Sequence, residues 1–212
     1  MDIEREGRDA TRTRWWVYGR WFAINILAFA VLYPLVNWWT GLRGTNTGFY
    51  LTAELSIPFV PEWIWVYLSI NLVFLVPPVV LTAPQMSLLG RRMLAATLAG
   101  CAIFAVLPAR LGFPRMLPED PIYRLIFSTL FEADGPHNLV PSLHVAYASL
   151  CAYSFARASA RSIVRAAWWL WLPLIMASTV LVHQHHLLDV VSGACLAGGI
   201  GRLVPARPSQ SR

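Results

Sequence analysis

A chain of 212 residues is long enough for one ordinary soluble domain. Its composition excludes one, because 57% of the residues are hydrophobic, only 13% are charged and the mean hydropathy is +0.52, whereas a soluble domain carries about 25% charged residues. The formal net charge is +6, every basic residue is arginine, and nothing in the pattern fits disorder, a coiled coil or a disulfide scaffold.

The first twenty residues mix Arg5, Arg8, Arg12, Arg14 and Arg20 with four acids. They read as a cytoplasmic arm before an apolar run too long for a signal-peptide core, so the run is expected to be a retained first span. A bilayer core of roughly 30 Å needs about 20 apolar residues in a helix. Six segments approach that length: Trp21–Trp39, Trp63–Leu81, Arg92–Leu107, Leu139–Phe155, Ala166–Val182 and Leu187–Val204. Pro77 and Pro78 are expected to kink or end the second, since proline removes a backbone donor. The expected fold is an all-α bundle of six transmembrane helices over 21–204, with a disordered cytoplasmic tail at 205–212.

If six spans alternate, thirteen of the 17 arginines fall on one side, and only Arg43, Arg110, Arg115 and Arg124 on the other. Positive charge marks the cytoplasmic side. Both termini are therefore expected in the cytoplasm, in a multi-pass protein of the inner (plasma) membrane. The arginines then report orientation, and no nucleic-acid partner is expected. The tryptophans sit near the expected interfaces, as an aromatic belt requires. Cys101, Cys151 and Cys195 lie in apolar runs without ligand or redox spacing and read as packing residues. Two outer loops remain, near 40–62 and 108–138, the first apolar enough to lie along the membrane surface. Gly193, Ala197 and Gly201 recur every four residues in the last span, a helix-packing pattern.

All five histidines and seven of the eleven acids fall on the outer side. Ionisable groups near membrane depth are costly and are functional candidates by default. Pro141-Ser142-Leu143-His144 opens the fourth span, where free amides and the Ser142 hydroxyl suit an anion. In the segment Ser178–Asp189, His185 and Asp189 are four apart and share a helix face. A carboxylate there fixes the imidazole tautomer and raises its nucleophilicity. His183, His185 and His186 can alternatively be read as metal ligands, though the distant His144 and the acid at 189 fit a metal set less well. No cofactor or metal is expected. Arg110 and Arg115, on the arginine-poor side, suit phosphate oxygens; the plainer reading is two snorkelling side chains.

Together these residues resemble the phosphatidic acid phosphatase type 2 superfamily, whose motifs are K-x6-R-P, P-S-G-H and S-R-x5-H-x3-D. The third motif reads Ser178-Thr179, five residues, His185, three residues, Asp189, with Thr where the family has Arg. The second has Leu143 where Gly is commonest. The first survives only as a divergent stretch from Pro108 to Arg115, without Lys. The resemblance implies a metal-independent lipid phosphatase acting through a phosphohistidine. His185 would attack phosphorus, Asp189 orient it, and His144 protonate the leaving oxygen. Ser142, Ser178, Arg110 and Arg115 would bind phosphate. The implied site lies at the outer membrane interface, and the implied partners are a phospholipid or polyprenyl phosphate and the surrounding lipids. The P-S-L-H form also looks like the inositol-phosphorylceramide synthase branch, where an alcohol accepts the headgroup. A non-enzymatic lipid-binding or transport protein is the third reading. The oligomeric state is not legible.

Overall fold

The computed structural model describes residues 2–43, 47–135 and 137–206. Within them lie eight α-helices and no strand: α1 (Asp2–Leu42), α2 (Ile64–Val73), α3 (Pro77–Val80), α4 (Ala83–Val106), α5 (Pro121–Ala133), α6 (Leu143–Ala158), α7 (Ser162–Leu181) and α8 (Leu187–Leu203). The expected tail at 205–212 lies outside the described residues from 207 onward.

Three helices are long and apolar enough to cross a bilayer: Thr11–Leu42 within α1, α4 and α7. Of the six expected spans, these three meet that standard and the others do not. The second is broken where the prolines stand. A helix cannot run unbent into Pro77 without clashing at the carbonyl four residues back, and α2 indeed stops at Val73. α6 has 16 residues and α8 has 17, a little under the usual spanning length.

α1 is continuous through the arginine-rich arm and runs 41 residues, about 60 Å, or twice a hydrocarbon core. Only 6% of its most apolar window is buried in the protein, against 44% for α4. α1 is thus a peripheral helix packed on α4, with Leu27, Val31 and Leu35 exposed as lipid-facing side chains are.

α6 is the centre of the bundle and touches α2, α3, α4, α7 and α8. Ala146, Ala148, Cys151, Ala152 and Ala156 are buried on it, and such small side chains let neighbouring helices approach closely. Around it Phe104, Leu143, Leu150, Phe155 and Ile175 fill the core.

Two further expectations are revised. Arg92 does not open a span at a loop. α4 begins nine residues earlier, at a Thr82 cap closed by Gln85, and Arg92 is buried within it. Its Nε donates to the Val204 carbonyl at 3.0 Å and its Nη2 to Gly201 at 3.0 Å. It therefore closes the carbonyl end of α8, a favourable place for a cation. The segment 108–138 is also not all loop. Asp120 accepts the Ile122 and Tyr123 amides and starts α5; with Pro121 in the first turn this is a standard helix start that the sequence reading passed over.

Candidate active site

The α7–α8 turn carries the site. After Leu181 the chain reverses on itself: the Gln184 and His185 amides both donate to the Thr179 carbonyl at 3.0 Å. His183 makes the reversal in the left-handed region at φ 56, which costs a non-glycine residue about 1–2 kcal/mol. Its Nε2–H donates to the Ile57 carbonyl at 3.0 Å, and burial lowers its imidazole pKa.

Asp189 sits in the first turn of α8 and is 1% exposed. Its Oδ2 accepts the His186 amide at 2.8 Å and the His185 Nδ1–H at 3.3 Å. The carboxylate caps the helix and orients the imidazole at once, which leaves His185 Nε2 as the nitrogen with a free lone pair. The pair expected on one helix face is in contact, but across the helix start: α8 begins at Leu187, so His185 lies before the cap and meets Asp189 in the first turn.

α6 starts against this turn. Ser142 is its cap, with Oγ accepting the Val145 amide at 3.3 Å, and its own N–H donates to the Asp189 carbonyl at 3.0 Å. A cap hydroxyl that accepts with a lone pair keeps its proton to donate. The close approach depends on Gly193, where a Cβ would lie 2.4 Å from the Ser142 carbonyl oxygen. In the same first turn of α6, His144 Nε2–H donates to the Tyr67 carbonyl at 3.1 Å. Its ring stacks on Tyr67 at 4.1 Å, leaving Nδ1 for proton exchange.

His144 and His185 line one cavity of about 660 Å³. It runs along α1 from Pro34 down to Tyr18, a helix length of about 24 Å, between α2, α4 and α6. Phe22, Ile26, Phe29, Phe74, Leu89 and Met93 give it an apolar wall. Its polar end holds the two histidines with Asp134 and Asn138.

The remaining expected residues do not line this cavity. Ser178 is buried and its hydroxyl donates to the Ile175 carbonyl at 2.7 Å, inside its own helix. Thr179, at the family's Arg position, turns its hydroxyl to Met176 in the same way. Arg115 is occupied: its guanidinium donates to the Phe131 carbonyl at 2.8 Å and to that of Asp134, and packs over the Phe131 ring at 5.0 Å. It caps the end of α5. Arg110 is exposed, on a stretch whose backbone pairs with Thr47 in the segment that follows α1. His183, His185 and His186 form no metal-ligating set among the described residues.

Two acids outside the motifs also lie here, Asp134 half-buried and Glu54 buried. Asp134 lines the cavity and takes a hydrogen bond from the Tyr33 hydroxyl. Burial raises its pKa, an effect reduced by the Tyr33 bond and the fields of His185 and Arg115. Glu54 is 4% exposed. Burial alone would raise its pKa, but hydrogen bonds from the Leu51 and Leu187 amides, with His186, outweigh that and lower it. Neither acid has a motif spacing that would reveal it. Glu54 lies 132 residues from its partner His186.

The PAP2 superfamily profile matches residues 44–203, from the segment after α1 to the last turn of α8. No curated protein and no solved structure matches the chain. The profile covers most of the chain and contains the whole α6–α8 site, and the three apolar helices mark a membrane protein, so the chain belongs to the PAP2 superfamily.

Proposed function

We propose that this protein hydrolyses the phosphomonoester or diphosphate of a membrane lipid through a phosphohistidine formed on His185. One observation carries the reading: His185, with Nδ1 held by Asp189, shares with His144 the polar end of a long apolar cavity. In the first step His185 Nε2 attacks phosphorus and the bond to the lipid oxygen breaks. His144 Nδ1, when protonated, gives that oxygen its proton. In the second step water attacks the phosphohistidine, His144 takes the water's proton, and the P–N bond breaks to restore His185. Splitting the reaction in two eases each half, and the remaining task is to stabilise charge on the equatorial oxygens. The donors offered are the first-turn amides of α6, the Ser142 hydroxyl and Arg110, with Arg115 contributing its field. The lipid chain would lie in the cavity along α1. In this reading six helical segments span the inner (plasma) membrane, both termini are cytoplasmic, and the site opens at the outer face.

A second reading, transfer of the phosphoryl headgroup to an alcohol, is favoured by Asp134, which adds a carboxyl beside the histidine pair suited to an incoming hydroxyl. The test is purified protein with phosphatidate and polyprenyl phosphates, with and without inositol. Free phosphate supports the phosphatase and a new phospholipid the transferase. His185→Ala should abolish both, and wild-type turnover in that variant refutes the mechanism. Activity should also survive chelators.

A further inference from the structure

We propose that Glu54 and His186 are positioning residues that hold the His185 turn in register with the two outer loops. The proposal rests on the reading of His185 as nucleophile.

Three donors converge on the Glu54 carboxylate. Oε1 accepts the Leu51 amide at 3.0 Å; Oε2 accepts the Leu187 amide at 2.9 Å and the His186 Nδ1–H at 3.2 Å. On the far side of the ring, His186 Nε2 accepts the Gly112 amide at 3.0 Å. His186 therefore accepts on one nitrogen and donates on the other, which defines it as a neutral imidazole with one tautomer. It is 1% exposed, and burial lowers its pKa, consistent with that form.

The rings reinforce the bonds. Tyr50 stacks on His186 at 4.4 Å, Phe113 stacks on His186 at 4.3 Å, and Phe113 also stacks on His183 at 4.0 Å. The four rings join residues from the first outer loop, the second outer loop and the catalytic turn. A Cβ at Gly112 would lie 2.4 Å from the Tyr50 ring, so a larger residue there would have to shift that ring and with it the stack.

Neither Glu54 nor His186 lines the cavity. They act through the backbone. His185 lies between His183 and His186, and both neighbours are fixed from outside the turn, by Ile57 with Phe113 and by Glu54 with Gly112. Arg110 is two residues from Gly112, so the same contact also spaces the outer arginine from the nucleophile.

The critical variants are Glu54→Gln and His186→Phe, measured on full-length protein in detergent with dioctanoyl phosphatidate. Glutamine has one acceptor oxygen for three donors. Phenylalanine keeps the stack and deletes both ring hydrogen bonds. Each should lower kcat about 10- to 100-fold, the scale of loss when a histidine's supporting hydrogen bonds are removed, with KM changed less than about threefold. Glu54→Asp, which retains the charge, should recover part of kcat. Values of kcat within twofold of wild type in both variants overturn the proposal. So does a kcat loss matched by unfolding at the assay temperature, because that is a structural role only. Hydrogen exchange gives a readout that needs no substrate: the Gln184 and His185 amides, bonded to Thr179 and not to Glu54, should exchange faster in Glu54→Gln. Unchanged exchange there refutes the clamp even if the wild type releases no phosphate, whereas an inactive wild type with altered exchange refutes only the proposed reaction.

Discussion

Gly193→Ala tests the α6–α8 contact on which the site depends. The added Cβ would stand 2.4 Å from the Ser142 carbonyl oxygen, 3.1 Å from Val145 Cβ and 3.3 Å from the Ser142 carbonyl carbon. The nearest atom is backbone, about 1 Å inside ordinary contact, so no side-chain rotation relieves it. The helices must part by about that distance, at a cost of about 1–3 kcal/mol for overpacking. The parting also strains the Ser142-to-Asp189 backbone bond and carries His185 and Asp189 away from His144. A displacement of about 1 Å in a catalytic constellation costs about 100-fold in rate, or about 2.7 kcal/mol of barrier. The control is Gly199→Ala, six residues on, where a Cβ meets nothing within 4 Å. Alanine there should leave kcat unchanged and hold or raise Tm, since glycine is the poorer helix former by about 1 kcal/mol. The assay is phosphate release from dioctanoyl phosphatidate beside thermal unfolding in detergent. Equal kcat in the two variants would refute the close-approach argument.

Arg92→Ala should cost about 1.5–3 kcal/mol, because it removes charged donors from two carbonyls at the end of α8; Arg91, whose Nε has no partner, should tolerate alanine with little change in Tm. His183 and His186 have pKa values lowered by burial below the ordinary 6.5, so the folded state binds fewer protons than the unfolded one. Stability should therefore be full above about pH 6.5 and fall below it, and Glu54, also lowered, adds loss of the same sign as the pH drops through the carboxylate range. A Tm that is flat or rising from pH 7.5 to 5.5 contradicts this. Ile26→Trp should raise KM for long-chain lipid phosphates while sparing dioctanoyl phosphatidate, because Ile26 lines the cavity about 12 Å inward of Pro34; equal KM shifts for both chain lengths would place the lipid elsewhere.

Much of this protein was legible in the residues themselves. Composition set the bilayer as solvent. Three long apolar runs became α1, α4 and α7, and the Pro77-Pro78 pair became the break after α2, because hydropathy and proline act locally. The His185–Asp189 contact was legible as a pairing but not as a helix face: α8 starts at Leu187, and the two residues meet across its capped first turn. The stripe Gly193-Ala197-Gly201 was only partly informative. Gly193 and Ala197 are buried, but a Cβ at Gly201 meets nothing within 4 Å, so periodicity named the face without its extent.

What tertiary structure decided was the company those residues keep. Ser178 and Arg115 fit a phosphate-binding pattern, yet the fold back-bonds the first to its own helix and caps α5 with the second. Such roles depend on which carbonyl or amide lies nearest, and sequence spacing does not encode that across helices. Asp134 reached the cavity wall and Glu54 was buried against a partner 132 residues away, placements that no spacing in the sequence indicates. Local sequence determines the helices and the His185–Asp189 pair, because those need only neighbours along the chain. The cavity and the clamp on the His185 turn exist only once distant segments pack, because each is made of surfaces that no single segment possesses.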